Sequence, residues 1–118
     1  MSRNYSLYFY DILESCKRVS QYVSGMTFET FSTDEKTVDA VVRNLEVIGE
    51  AVKSIPPEML AAHSEIDWKR IARFRDIVAH HYFKVDLEVV WDITQHRINE
   101  PEVAVTALLS NYKHPETD

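Results

Sequence analysis

The stretch STDEKTVDAVVRNLEVIGEAVKSIPP, residues 32–57, decides the fold. Val38, Val41 or Val42, Leu45, Ile48, Val52 and Ile55 recur in steps of three and four, the spacing of one helix face. Ser32 and Glu35 stand as a capping box at its start, and Pro56-Pro57 end it. Gly49 sits inside this helix although glycine costs about 1 kcal/mol there relative to alanine. Such a residue is either a tolerated surface glycine or the place where a neighbouring helix or side chain comes close.

Toward the N-terminus, Tyr8, Ile12, Cys16, Val19 and Tyr22 or Val23 repeat the pattern, and Gly25 is its stop. The segment MTFETFST that follows reads as one turn plus loop. Toward the C-terminus, Pro57 to Ala62 suit a short helical turn. Asp67 then caps a third long helix carrying Trp68, Ile71, Phe74 or Arg75, and Val78 inward. Asp86 caps a fourth with Leu87, Val90, Trp91 and Ile93. Asn99 and Pro101 interrupt it and open a last helix through Val103, Ala107 and Leu108. The expected fold is all-α: an antiparallel up-down bundle of four main helices with a C-terminal helical extension.

A chain of 118 residues is read as one domain, residues 1–118, with 113–118 expected to be a disordered tail. Two glycines and four prolines leave few breaks, which favours helices over a many-turned β fold. Cys16 stands alone, so neither an intrachain disulfide nor a cysteine-based metal cluster is available within one chain. The opening residues lack the basic start and apolar run of a signal peptide, and no run approaches the ~18 apolar residues of a membrane span. A cytoplasmic location is expected, with no membrane partner.

A net charge of −6 argues against non-specific coating of nucleic acid, but not against a local basic site. Lys69, Arg70, Arg73 and Arg75 fall within seven residues, with His80, His81 and Lys84 just beyond. Taken alone, the cluster reads as a solvated helix face. Arg43, Asn44, Glu46 and Glu50 on the second helix face either the third helix or a partner, with a structural role the favoured reading.

At about 100° per residue, Asp76 and His80 are an i,i+4 pair on one helical surface, with Arg75 and Tyr82 on the adjacent strip. A carboxylate beside an imidazole fixes its tautomer and favours its protonated form. Together these residues offer a permanent cation, a proton carrier, a carboxylate and a phenol. That kit suits phosphodiester cleavage: arginine binds the phosphate with a forked donor array and histidine moves a proton. No metal is required if the RNA's own 2′-hydroxyl is the nucleophile. On spacing alone, the plainer reading is an ordinary helix-end salt bridge with a histidine favoured by the dipole.

The segment RFRDIVAHHYFKVD, residues 73–86, resembles the Arg-(four residues)-His-(one residue)-Tyr signature of the HEPN superfamily. More closely, it resembles HepT-like toxins paired with small nucleotidyltransferase antitoxins. RNLEVIGEAVKSIP (43–56), Trp68 to Ile71, and VDLEVVWDI (85–93) carry the likeness from Tyr5 to Ile98. The resemblance implies a metal-independent endoribonuclease with no cofactor, acting as a homodimer whose motif helices line one composite cleft. It makes Arg75 the phosphate-holding residue and His80 the proton carrier, with Asp76 in a supporting position where such proteins often have Asn. Tyr82 matches the tyrosine that the antitoxin modifies with AMP, which would block RNA by charge and bulk. Lys69, Arg70, Arg73 and Lys84 would touch RNA outside the catalytic pair. His63, His81, His96 and His114 match no motif position and read as surface or packing residues. The alternative function is a non-catalytic module of the superfamily that binds nucleotide or regulates a partner nucleotidyltransferase. A helical interaction protein with a decayed site is a third reading.

Overall fold

The computed structural model describes residues 5–80 and 86–112, and among them it is all-helical, with no strand. In the first helix, α1 (Ser6–Val23), the inward face is Phe9, Ile12, Cys16, Val19 and Val23. Phe9 takes the place expected for Tyr8, which is half-buried, and Tyr22 lies at the surface. The exchange follows from chemistry: a phenol keeps its hydroxyl near water, whereas a phenyl ring does not need to. Gly25 closes the helix with φ +78°, a conformation that costs glycine nothing.

A short α2 (Phe28–Ser32) follows, started by a reciprocal pair in which the Thr27 and Thr30 side chains each accept the other's backbone N–H. Because α2 runs through Ser32, whose hydroxyl donates to the Glu29 carbonyl at 3.0 Å, Ser32 does not cap the next helix. Asp34 does. Its carboxylate accepts from the Thr37 N–H at 3.2 Å and from the Thr37 hydroxyl at 2.9 Å, which replaces the Ser32/Glu35 box expected from spacing.

These bonds, the Thr37 N–H first, hold the Asp34 carboxyl below the usual carboxylate range. A depressed folded-state value means stabilisation that is complete above the unfolded value of ~3.9 and lost as pH falls through the folded value. Asp34→Asn, which caps about as well, is expected to melt close to wild type at neutral pH. Below about pH 4 the variant should lose less stability than wild type, which thermal melts at the two pH values will measure.

The long α3 (Glu35–Ser54) buries Val41, Leu45, Ile48, Ala51 and Val52. Asn44, also buried, satisfies its amide by donating to the Ala40 carbonyl at 2.8 Å. Ile55 is extended ahead of Pro56, and α4 (Pro57–Leu60) runs into a 3₁₀ turn at Ala61–His63. The Trp68 indole N–H, directed at the Leu60 and His63 carbonyls (3.1 Å each), ties this connection to α5 (Trp68–His80). Asp67 caps α5 by accepting from the Arg70 N–H, and Ile71, Phe74 and Val78 point inward. Between Phe74 and Arg75, the core takes Phe74.

Asp86 caps α6 (Leu87–His96), accepting from the Glu88 and Val89 N–H groups. In α7 (Asn99–Tyr112), Ala104, Val105, Leu108 and Leu109 are buried, whereas Val103, expected inward, is 60% exposed. The pairs Ala104-Val105 and Leu108-Leu109 set the register one residue away from it. α1 is the spine: α3 packs on it from one side and α7 from another, and α5 lies on α3. α5 runs against α3, because Asp67–Ala72 lie by Val52–Ile55 while Arg75 lies beside Gly49.

Trp91 packs on Phe31 and, edge-on, on Phe28, with ring centroids 5.2 and 6.4 Å apart. Trp91 is half-buried by these contacts, and Phe74 is buried in the core. Phe83 and the 113–118 tail lie outside the described residues. Cys16 is sealed in the core, and burial, with Glu102 adding to it, pushes its thiol well above the ordinary range. It is a packing residue. No helix among the described residues is long and apolar enough to cross a membrane.

Candidate active site

The site begins with a missing side chain. A Cβ placed on Gly49 would come within 2.8 Å of the Arg75 backbone nitrogen and 2.9 Å of the Ala72 carbonyl oxygen. The two open readings of Gly49 thus resolve into close approach: α5 lies on the bare backbone of α3 at the turn that carries Arg75.

Around this contact α3 meets the polar edge of α5. The Glu50 carboxylate is 2.6 Å from the Arg75 Nε, and Lys53 Nζ donates to the Asp76 carboxylate at 3.2 Å. Arg75 Nη1 lies 3.8 Å from that same Asp76 oxygen. The result is an alternating row, Glu50, Arg75, Asp76, Lys53, across the two helices. All four side chains are 40% to 62% exposed, so the row is open to a ligand, and its ion pairs are worth little to stability.

Arg75 also lines a groove of about 360 Å³ between α1, α3 and α5, whose other polar walls include Tyr8, Asp11, Arg43, Glu46 and Glu50. An exposed guanidinium in the wall of an open groove can bind a phosphate and stabilise charge developing on it. The groove is lined by two cations, Arg43 and Arg75, and by three carboxylates, Asp11, Glu46 and Glu50.

Of the residues singled out by sequence, Arg75 and Asp76 are side by side and solvent-facing. The α5 helix carries its register through His80, one turn beyond Asp76 on the same strip, so the backbone supports the i,i+4 relation. The His80 side chain, Tyr82, Lys84 and His81 lie outside the described residues. Lys69, Arg70 and Arg73 are exposed along α5, and Lys69 borders, with Lys53, a second hollow of about 670 Å³ walled by Ile55, Leu60, Ile66 and Trp68. His63, half-buried, lies near Glu65, and His96 is exposed near Asp92; neither pairs with a member of this row.

Sequence reasoning favoured a structural role for Glu50 and did not single out Lys53. Both stand against Arg75 and Asp76. The signal was available in their spacing: Arg43, Glu46, Glu50 and Lys53 repeat at three and four residues, a polar row beside the apolar one.

The family described as "Ribonuclease HepT-like" matches residues 12–108. A protein of Methanocaldococcus jannaschii named "Putative RNase" is 44% identical over 91 residues, covering 77% of this chain and 75% of that one. A protein of the same type of name from Caldanaerobacter subterraneus is 40% identical over 106 residues, 90% of this chain and 95% of the relative. A "Probable ribonuclease HepT" of Thermococcus cleftensis is 43% identical over 91 residues, 77% and 83% of the two chains. No solved structure matches the chain significantly.

Proposed function

The chain belongs to the HepT-like ribonuclease family, and from that premise we propose that it is an endoribonuclease that cleaves RNA without a metal ion. The observation that carries this reading is the exposed Arg75 guanidinium lining the groove, on the helix that reaches His80 five residues later.

In the proposed reaction a ribose 2′-oxygen attacks the adjacent phosphorus, and the bond from phosphorus to the 5′-oxygen breaks. The 2′-hydroxyl gives up its proton and the departing 5′-oxygen takes one. Imidazole chemistry at His80 serves these transfers because histidine exchanges protons near neutral pH. Arg75 neutralises charge on the phosphoryl oxygens. Asp76 is an uncomfortable neighbour for a phosphate, and the 3.2 Å contact from Lys53 offsets its charge. Lys69, Arg70 and Arg73 extend a cationic edge for the RNA strand.

The biological setting in this proposal is a toxin–antitoxin pair in the cytoplasm. Two copies of the chain bring their motif helices to one cleft, and a nucleotidyltransferase antitoxin adds AMP to Tyr82. The added negative charge and bulk beside the motif repel and exclude RNA.

Protein purified without its antitoxin is expected to degrade RNA in the presence of a chelator, and His80→Ala to abolish cleavage while keeping the helical signal. Equal behaviour of wild type and His80→Ala ends the enzymatic reading. One observation favours the second reading, a non-catalytic module that binds nucleotide or regulates its partner: Arg75 is already engaged by Glu50. In that case RNA survives, while a complex with the nucleotidyltransferase still forms and weakens when Lys69, Arg70 and Arg73 are neutralised.

A further inference from the structure

We infer that Glu50 is a positioning residue for Arg75, fixing the guanidinium by its Nε edge so that its outer edge is presented to a phosphate. The inference rests on the ribonuclease reading for its catalytic consequence, but its geometry stands apart from it.

An arginine on a helix surface has four rotatable bonds, and holding it in one orientation costs up to about 2 kcal/mol of side-chain entropy. Something must supply that order if the guanidinium is to meet a phosphate in a productive pose. Three restraints converge on Arg75. Its backbone is pressed against Gly49, where even a Cβ would find atoms within 2.8 Å. Its Nε is 2.6 Å from Glu50, the very next residue of α3. One of its terminal nitrogens is 3.8 Å from Asp76, which Lys53, one turn further along α3, draws from the other side. Gly49, Glu50 and Lys53 thus form one rail on α3 that holds two consecutive residues of α5.

The way Glu50 engages Arg75 decides what is left for a ligand. The carboxylate sits at Nε, and Nη2 has no ion pair among the described residues. A phosphate that takes both terminal nitrogens displaces the long Asp76 contact and leaves the shorter Glu50 contact intact. Glu50 also costs affinity, because it is a negative charge beside a polyanion. A residue that opposes binding but orders the reacting geometry has a distinctive kinetic signature: its removal lowers turnover without raising KM.

The test uses Glu50→Gln and Glu50→Asp in the full chain. The first readout does not involve RNA: the Arg75 Nε–H resonance in a spectrum of nitrogen-15-labelled protein, assigned by its loss in Arg75→Lys. Glu50→Gln is expected to shift this resonance and speed its exchange with water, with Glu50→Asp intermediate. The second readout is cleavage. Glu50→Gln is expected to lower kcat about tenfold or more with KM unchanged or reduced, Glu50→Asp to recover part of kcat, and the melting temperature to stay near wild type.

An unmoved Arg75 resonance in Glu50→Gln overturns the inference whatever happens to RNA. So does a shifted resonance with unchanged kcat, or faster cleavage, which would make Glu50 a brake. A fall in kcat together with a collapse in melting temperature overturns it in favour of a structural role. A resonance that shifts in Glu50→Gln, when wild type itself does not cleave RNA, leaves the positioning in place and removes the ribonuclease reading instead.

Discussion

Gly49→Ala is expected to lower both stability and RNA cleavage, although alanine is the better helix former. The propensity gain is about 1 kcal/mol. Against it stands a Cβ forced within 2.8 to 2.9 Å of the Arg75 nitrogen, the Ala72 carbonyl oxygen and the Arg75 Cβ. Two of those three atoms are backbone, so no side chain can rotate aside, and α5 has to move off α3 as a unit. Overpacking of this kind costs about 1–3 kcal/mol. The net expectation is a loss of up to about 2 kcal/mol, read as a drop of up to several degrees in melting temperature.

The effect on cleavage is larger than the effect on stability. Moving α5 carries Arg75 away from Glu50 and changes where the guanidinium meets its phosphate. Misplacement by about 1 Å can cost on the order of a hundredfold in rate. Gly25→Ala provides the contrast. Gly25 has φ +78° but open space around it, so alanine there introduces backbone strain of about 1–2 kcal/mol without touching α5. Thermal melts and RNA cleavage by the folded fraction should therefore separate the two variants. Both lose stability, and only Gly49→Ala loses rate. Full activity in Gly49→Ala would show that the α3–α5 contact does not set the position of Arg75.

The fold was legible where burial alone decides the pattern. Leu45, Ile48, Val52 and Ile55 in α3 and Ile71 and Val78 in α5 read directly, because apolar residues at helical spacing leave one choice at each of these positions. The reading slipped where two neighbours compete for one inward position. Tyr8 and Phe9 differ by a hydroxyl, and Val103 and Ala104 by a register that only α1 determines. Ser32 lost the capping role because α2 reaches it first, a boundary that depends on the Thr27/Thr30 pair rather than on Ser32.

The candidate site was legible on α5, and its neighbours on α3 were not singled out as part of it. Arg75 and Asp76 belong to a recognisable motif. The spacing of Glu50 and Lys53 marks a polar row on α3, but which residues of α5 they meet depends on how the two helices cross, which intrahelical spacing does not encode. Gly49 was the exception. A glycine in an otherwise strong helix signals close approach without naming what approaches, and the structure supplies Arg75.

Arg75→Ala is expected to reduce RNA cleavage by about a hundredfold to a thousandfold, the scale for removing one donor aimed at developing charge. Stability should hardly change, because the Arg75–Glu50 pair is 45% and 62% exposed and such pairs contribute ~0–1 kcal/mol. The loss has two parts. The cation that binds phosphate is gone, and Glu50 and Asp76 are left facing the RNA without it, two like charges repelling a third. Arg75→Lys restores the charge but not the fork, so it should regain RNA affinity more than turnover. If Glu50 acts through Arg75, adding Glu50→Gln to Arg75→Ala will produce no second loss in kcat, and relief of repulsion will lower KM. A further multiplicative drop in kcat in the double variant would mean that Glu50 acts on the reaction by a route of its own.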